Sequence, residues 1–204
     1  MHGSLLPKYR GRVPVNWAII RGETETGSTL HYMTEKPDNG DIVAQQAVPI
    51  LPNDTALQVF QKVTVAAEIA LNDALPALLA GKAPKIRQDL SKGGYFGGRK
   101  AEDGTIDWSQ SSQQIHNLVR AVAPPYPGAT TQLMGKPVRI LQTLVTDCTA
   151  AGKEQPAFYV EEGRAYASCG QGVLRVVRFE LDGKEMSAAE FGTKYGAERF
   201  EFGA

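Results

Sequence analysis

The stretch HGSLLPKYRGRVPVNWAIIRGETETGSTLHYMTEKPDNGD, residues 2–41, holds the residues on which the predictions of fold and function depend. It begins with His2 in a Gly-Ser-Pro loop and ends with Asp38 and Asp41 around Asn39-Gly40. A carboxylate beside an imidazole holds one tautomer and stabilises the charged form, which suits proton transfer near pH 7. His2 and Asp38 are therefore a candidate acid/base pair. Judged from the residues alone, a histidine in a mobile terminal tail is the favoured alternative.

Composition is that of an ordinary globular protein. The 204 residues are 42% hydrophobic, and 22 basic residues balance 22 acidic ones, so no net charge favours nucleic acid or an anionic membrane. No apolar run approaches the roughly 20 residues of a membrane-spanning helix, and the first residues lack the order of a signal peptide. Cys148 and Cys169 leave a single disulfide open, but we expect small buried side chains in a reducing, cytoplasmic setting.

Local patterns in the first half predict a loop, a short helix and a hairpin. Residues 2–12 are rich in Gly and Pro and are expected to form a loop. Pro14 suits the first turn of a helix that ends at Ile20. Alternating side chains predict strands over 28–33 and 42–50, joined by a short polar turn.

A long helix is expected to follow, capped by Asn53-Asp54-Thr55, running to Leu79 and closed by Gly81. Pro76 is expected to kink it or to end it a turn early. Its core-facing stripe is predicted at Phe60, Val63, Ala67, Ala70, Leu71, Ala74 and Leu78.

The second half is expected to be mostly β after a Gly- and Lys-rich connector over 82–105. A strand is predicted over 106–108, followed by an amphipathic helix over 111–122 with Ile115, Leu118, Val119 and Val122 inside. A short helix over 187–195, capped by Ser187 with Glu190 at the fourth position, closes the chain. The strands of a small barrel are predicted over 129–134, 137–146, 157–161, 164–168 and 173–180.

Several other polar residues allow two interpretations. Lys8, Arg10 and Arg12 suit a carboxylate or phosphate ligand, or they form a solvated basic loop. Arg99 lies among four glycines, yet its spacing fits no phosphate-binding fingerprint. His31 and His116 are expected to be hydrogen-bonded structural residues. A metal site of His2, His31, Asp38 and Asp41 has no known ligand spacing and is a weak alternative.

Longer motifs carry a resemblance to a family. HGSLLPKYRGRVPVNWAIIRGETETG, then TLHYM and DNGDIVAQ, resembles the folate-dependent formyltransferases. The segments YFGGR (95–99), DGTIDW (103–108) and HNLVRA (116–121) also look like this family. The resemblance implies an α/β fold: the C-terminal part of a Rossmann-like formyltransferase domain over 1–90, a connector over 91–109, and a small OB-like β-barrel domain over 110–204.

The resemblance also implies a reaction and roles for named residues. The family transfers a formyl group from 10-formyltetrahydrofolate, a co-substrate, to a primary amine. His2 would shuttle the proton, and Asp38 would orient His2 and raise its pKa. Arg12 and the segment Thr34, Glu35, Lys36, Pro37 and Asp38 would line the formyl-folate site.

The family's oxyanion-stabilising Asn would fall one residue before Met1, and roughly 100 residues of the family's N-terminal domain would precede it. The resemblance therefore implies a truncated chain, and we expect it to be poorly folded or inactive alone. Losing such a donor typically costs about 10²–10³ in rate.

The acceptor amine is the least determined feature. Arg10-Gly-Arg12 and the YFGGR segment look most like family members that act on UDP-4-amino-4-deoxy-L-arabinose in lipid A modification. Residues 110–204 carry ten basic and ten acidic residues, whereas a tRNA-binding domain is expected to be basic. We therefore expect small-molecule partners, formyl-folate and an amino sugar nucleotide, with no membrane or nucleic acid. The alternatives are a methionyl-tRNA formyltransferase and a non-catalytic fragment or binding module.

Overall fold

The computed structural model describes residues 1–147 and 155–203. The chain forms two compact units, unit 1 over residues 1–99 and unit 2 over residues 100–204. The predicted connector over 91–109 therefore contributes residues to both units. Within the described residues, no helix combines the length and apolarity needed to cross a membrane.

Unit 1 is a two-stranded antiparallel hairpin packed against a long helix. The hairpin strands pair from Glu25–Pro49 to His31–Ile42. A second, parallel pair of short strands joins residues 10–11 to residues 95–96. The elements in chain order are β1 (Arg10–Gly11), α1 (Pro14–Ile20), β2 (Glu25–His31), β3 (Ile42–Pro49), α2 (Ala56–Leu79) and β4 (Tyr95–Phe96).

The predicted short helix and hairpin are confirmed, with two differences. β2 begins three residues earlier than expected, and the connection to β3 is a ten-residue loop over 32–41 rather than a short turn. Its ends are closed by the Tyr32 N–H, which donates to the Asp41 carbonyl at 2.9 Å. The loop is longer than expected because residues 32 and 33, which continue the alternating pattern, do not pair with β3.

α2 begins and ends as predicted, but its buried face is different. Thr55 and Gln58 form a capping box, and Gly81 follows the helix with a left-handed φ of 66°. Pro76 lies in the last turn and does not end the helix. Phe60 and Leu71 are 56% and 42% exposed, so their predicted core positions are wrong. The buried positions favour small side chains that let the helix approach the hairpin: Ala56, Val59, Val63, Ala66, Ala70 and Ala74.

Unit 2 is a nearly closed antiparallel barrel, as predicted. Six strands pair in the order β11-β7-β8-β9-β6-β5, and β10 pairs with β9. A bridge between Leu133 and Phe202 links the two edges of this sheet, which limits unpaired backbone there. The elements are α3 (Ser112–Ala121), β5 (Ala129–Leu133), β6 (Lys136–Val145), β7 (Ala157–Glu161), β8 (Arg164–Ser168), β9 (Val173–Leu181), β10 (Lys184–Met186), α4 (Ala188–Tyr195) and β11 (Phe200–Glu201).

The capping box predicted at Ser187 with Glu190 is confirmed, and the other helix of unit 2 carries one as well, Ser111 with Gln114. The predicted strand over 106–108 is wrong. The Ile106 N–H donates to the Thr130 carbonyl as part of an isolated bridge between Thr105 and Thr130, and a turn begins at Trp108. This segment therefore contributes a single bridge beside β5 instead of a strand.

Two predicted structural residues of unit 2 are confirmed. His116 is buried, and its Nδ1 lies 2.9 Å from the Thr143 hydroxyl. Cys169 is a buried free thiol, and burial raises its pKa to about 12, which suppresses thiolate chemistry. Cys148 lies outside the described residues.

Candidate active site

His2 is held in place by its backbone and by one ring nitrogen. The His2 N–H donates to the Thr29 carbonyl, and the Thr29 N–H donates back to His2, each at 2.9 Å. Nε2 lies 2.8 Å from the Tyr9 carbonyl oxygen. Because a carbonyl only accepts, this contact requires a proton on Nε2. The mobile-tail alternative is therefore wrong.

Asp38 is the acid that the fold brings to His2. Its Oδ1 lies 3.5 Å from the His2 Nδ1, and its Oδ2 accepts a hydrogen bond from the Gly11 N–H at 2.8 Å. The backbone of Asp38 is left-handed, with a φ of 59°, a conformation that Asp tolerates better than most residues. The carboxylate is thus fixed between the loop at 9–12 and the loop at 32–41.

The glycine at position 40, in the Asp-Asn-Gly turn, is required for a steric reason. A Cβ added at this position would lie 1.8 Å from the Tyr32 carbonyl oxygen. No side chain fits there, so only glycine lets the turn fold back onto the end of β2. The Asp-x-Gly pattern is consequently a requirement for placing Asp38.

His31 is a second histidine of the site, which was expected to be structural and was otherwise considered only in the weak metal alternative. Its expected hydrogen bond is confirmed, because Nδ1 lies 2.9 Å from the Tyr32 carbonyl oxygen. Its Nε2 lies 3.7 Å from Oδ1 of Asp38, and the His2 and His31 side chains are only 8% and 9% exposed. No spacing in the sequence relates positions 2, 31 and 38, since the pairing of His2 with β2 brings them together.

The neutral form of His2 is favoured by burial. Burial lowers the pKa of His2 below its ordinary value, against the opposing effects of the Tyr9 hydrogen bond and of Asp38; His31 and the N-terminal amine lower it further. Asp38 raises this pKa, as expected, but the lowering effect of burial is larger. With the proton of neutral His2 on Nε2, the basic lone pair is on Nδ1. Asp38 then stabilises the imidazolium that forms when Nδ1 takes up a proton.

The residues predicted to line a folate site lie on two neighbouring loops. Thr34, Glu35, Lys36 and Pro37 are exposed. The Thr34 hydroxyl donates to the Lys36 carbonyl at 2.8 Å, and the Tyr95 hydroxyl donates to the Pro37 carbonyl at 3.2 Å. Arg12 is exposed beside Gly98. Apart from Asp38, none of these predicted residues has a contact with His2 in the described hydrogen bonds and ion pairs.

Lys8 and Arg10, two of the three cations expected to bind an anion, have partners inside unit 1. Lys8 pairs with Glu23 at 3.3 Å. The buried guanidinium of Arg10 donates to the Asn39 side-chain oxygen at 2.7 Å and to the carbonyls of Leu90 and Gly93 at 3.1 and 3.0 Å. Arg10 therefore ties the Asp38 loop to the segment before β4. Sequence analysis missed this function because the partners are about 30 and 80 residues away.

Metal chemistry has little support in this arrangement. In residues 1–147 and 155–203, no group of three or more His, Cys, Asp and Glu side chains is suited to hold a metal ion. The site consists instead of two buried imidazoles and one oriented carboxylate, which are groups for moving protons.

Comparison with solved structures supports the fold of both units. An N-formyltransferase from Helicobacter canadensis, in complex with folinic acid and dTDP-3-aminofucose, matches with 23% identity and a TM-score of 0.69, over 85% of this chain and 63% of that chain. HypX from Aquifex aeolicus in complex with tetrahydrofolic acid matches with 20% identity and a TM-score of 0.68, over 95% and 34% of the two chains. A 4-N formyltransferase from Francisella tularensis matches with 26% identity and a TM-score of 0.58, over 63% and 54%.

The present chain thus spans less than two thirds of the length of these proteins. Family models agree with the division into units. The model for "Formyl transferase" matches residues 1–75, and the model for "Formyl transferase, C-terminal domain" matches residues 99–196. The two models cover most of the chain in the order of its two units, and the chain belongs to the formyl transferase family.

Proposed function

We propose that this chain contributes to transfer of a formyl group from 10-formyltetrahydrofolate to the primary amine of an amino sugar nucleotide. The observation that carries the proposal is the geometry of His2 and Asp38. A buried imidazole with its Nε2 proton fixed by a carbonyl presents Nδ1 to a carboxylate that is itself fixed by a backbone N–H. In such an arrangement the Tyr9 carbonyl fixes the tautomer of a general base, and the carboxylate stabilises its protonated form.

The proposed reaction needs one proton to be moved and no redox step. The amine nitrogen attacks the formyl carbon, a new C–N bond forms, and the bond from that carbon to N10 of the folate breaks. His2 accepts the proton lost by the amine and returns it to N10. An oxyanion develops at the formyl oxygen and requires a hydrogen-bond donor, which in the family is an Asn two residues before the histidine.

Arg12 and the segment Thr34, Glu35, Lys36, Pro37 and Asp38 are proposed to line the folate site. Support comes from their placement on loops adjacent to His2, since the Gly11 N–H, next to Arg12, donates to Asp38. The exposure of Thr34 to Pro37 leaves them accessible to a ligand. Solved relatives with folinic acid or tetrahydrofolic acid bound are consistent with a folate co-substrate.

An amino sugar nucleotide is the acceptor that we favour, and specifically UDP-4-amino-4-deoxy-L-arabinose, which would connect the reaction to lipid A modification. Residues 110–204 carry no net positive charge, which argues against tRNA as the acceptor. The relative from Helicobacter canadensis holds dTDP-3-aminofucose. The assignment to the arabinose derivative rests on the YRGR and YFGGR segments.

The test is a formyl-transfer assay with 10-formyltetrahydrofolate and UDP-4-amino-4-deoxy-L-arabinose, using this chain and a version extended by its upstream in-frame sequence. Product is expected from the extended protein, and His2→Asn should abolish it. His116→Asn, a matched substitution of the histidine in unit 2, should retain activity when the folded fraction is accounted for. Absence of transfer to any amino sugar nucleotide in both proteins would support the non-catalytic alternative.

The tRNA alternative has its own measurement. A gel shift with initiator tRNA at physiological salt is expected to show no complex. Tight binding, with formylation of the charged tRNA, would reject the amino sugar acceptor.

A further inference from the structure

Gln88 is a buried side chain that joins both ends of the Asp38 turn. Its Nε2 donates to the Asp38 carbonyl at 2.9 Å and to the Gly40 carbonyl at 2.6 Å. Gln88 is 8% exposed. Two carbonyls that point at one nitrogen leave no choice of amide orientation, because Oε1 cannot donate to either.

The segment that carries Gln88 is itself fixed to the hairpin. Ile42 and Ile86 exchange two backbone hydrogen bonds, of 2.8 and 3.0 Å. Residue 86 therefore pairs with the first residue of β3. This pairing brings Gln88, two residues later, to the 38–40 turn. This part of the chain lies within the connector predicted over 82–105, and it is a structural component of the site.

The turn needs such a support because its backbone is unusual. Asp38 has a left-handed φ of 59°, which a non-glycine residue keeps only where its surroundings enforce it. Gly40 lies directly against the Tyr32 carbonyl. The two hydrogen bonds from Gln88 fix the carbonyls on both sides of Asn39, and the direction of the Asp38 side chain follows from them.

We propose that Gln88 is a positioning residue for the reaction. It holds the 38–40 turn so that Asp38 Oδ1 faces His2 Nδ1 and Oδ2 reaches the Gly11 N–H. Gln88 contacts neither histidine in the described hydrogen bonds, so it acts through Asp38. The kinetic consequence rests on the proposed function, whereas the effect on His2 depends only on the geometry of unit 1.

Gln88→Met tests this, because Met has nearly the same length and shape but no donor. The matched control is Gln46→Met, which removes an exposed amide from β3. The variants are made in the protein that shows formyl transfer, either this chain or its extended version. There, Gln88→Met should lower kcat by about 10- to 100-fold, the size of effect expected from a misplaced catalytic group, with little change in KM. Gln46→Met should leave both unchanged.

Two further readouts separate positioning from general destabilisation. NMR titration of His2 should show a lower pKa in Gln88→Met than in the unsubstituted protein, because Asp38 no longer faces the ring. In the Asp38→Asn background, adding Gln88→Met should cause no further loss of kcat, since the two residues act as one unit. Thermal unfolding of each variant establishes the folded fraction. If Gln88→Met does not fold, Gln88→Asn replaces it as the test variant. Gln88→Asn keeps an amide on a shorter side chain, so its decreases in kcat and in the His2 pKa should be smaller than those expected for Gln88→Met.

An unchanged His2 pKa, or fully additive losses in the double variant, would overturn the positioning role. If no formyl transfer is found in the unsubstituted protein, the proposed function fails. The NMR titration still decides whether Gln88 orients Asp38.

Discussion

The two units use left-handed backbone for different purposes. In unit 2, Met134, Glu162 and Asp182 have φ values of 52°, 48° and 53°, and each is followed by a glycine with positive φ. Each pair connects two adjacent strands by a two-residue turn, the arrangement that suits the right-handed twist of a hairpin. In unit 1, Tyr9, Val13 and Asp38 have φ values of 55°, 48° and 59° outside any two-residue hairpin turn.

The difference extends to what each unit buries. The core of unit 2 is apolar and aromatic, with Phe158, Phe179 and Phe191 packed edge-to-face. Unit 1 also buries polar atoms, and among the described residues Arg10 Nε, Thr26 Oγ1 and Gln88 Oε1 are buried without a hydrogen-bond partner. Unpaired buried polar groups cost stability. Unit 2 thus has the composition of a stable framework, and unit 1 sacrifices stability to position chemical groups.

The largest expected effect tests the framework. Phe158 is 1% exposed, and Phe158→Ala should lower the free energy of unfolding of unit 2 by about 3–5 kcal/mol, from lost burial and the cavity left behind. Chemical denaturation followed by Trp108 fluorescence in a Trp17→Phe background measures unit 2 alone. Val177→Ala, at a position 38% exposed, is the matched control and should cost less than about 0.5 kcal/mol. A loss below 1 kcal/mol for Phe158→Ala would contradict the framework interpretation.

The second test addresses the site. Asp38→Asn keeps the size of the side chain but removes the charge that stabilises the imidazolium of His2. In the active protein, kcat/KM should fall about 10²–10⁴-fold, the range of general acid–base contributions, while thermal unfolding changes little. Asp107→Asn, an exposed Asp in a turn of unit 2, should leave kcat/KM unchanged. Retained activity in Asp38→Asn would remove this carboxylate from the mechanism.

A third, smaller effect distinguishes the turns of the framework. Gly163 has a φ of 72°, and no atom lies within 4 Å of a Cβ built there. Gly163→Ala should therefore cost about 1 kcal/mol of stability, from backbone conformation alone. Gly97→Ala is the control, because this glycine has equally open surroundings and no positive φ. Each substitution is compared with the unsubstituted protein in its own unit. Equal changes in the free energy of unfolding for the two substitutions would show that the left-handed turns carry no strain.

The smallest expected effect concerns the pKa of His2. The coulombic effect of His31 lowers this pKa, so His31→Gln, which removes that effect, should raise the pKa of His2. NMR titration of the His2 ring protons reports the change directly. An unchanged or lower pKa of His2 in His31→Gln would show that His31 does not lower the pKa of His2.

The same shift predicts a pH dependence of stability. The pKa of folded His2 lies below its ordinary value of 6.5, so between these values the unfolded chain binds more protons than the folded one. The free energy of unfolding of unit 1 should therefore decrease as the pH falls through the window below 6.5. His31→Gln should bring the pKa of folded His2 closer to its ordinary value and so narrow the pH range over which the free energy of unfolding changes. Unit 1 stability that is independent of pH there would contradict a depressed pKa.

Sequence determined the parts of this protein that depend on neighbours along the chain. Helical periodicity, the Ser187 cap and alternating strands are local, and they predicted α3, α4 and the strands β5 to β9 to within one residue at each end, whereas the short strands β10 and β11 were not predicted. Motif resemblance gave His2 and Asp38 their expected roles. The reason why position 40 must lack a side chain becomes clear only from the fold, which places this residue against the Tyr32 carbonyl.

Only the tertiary structure decided which distant groups meet. The pairing of His2 with Thr29 fixes the position of His2, and it places His31 beside the same carboxylate. Burial, which no local pattern reports, outweighs the increase in the His2 pKa that Asp38 causes. Gln88 had no signal in a connector, because its function arises from two carbonyls about 50 residues earlier in the chain. Hydrogen-bond partners of that separation are set by packing, and packing is a property of the folded chain.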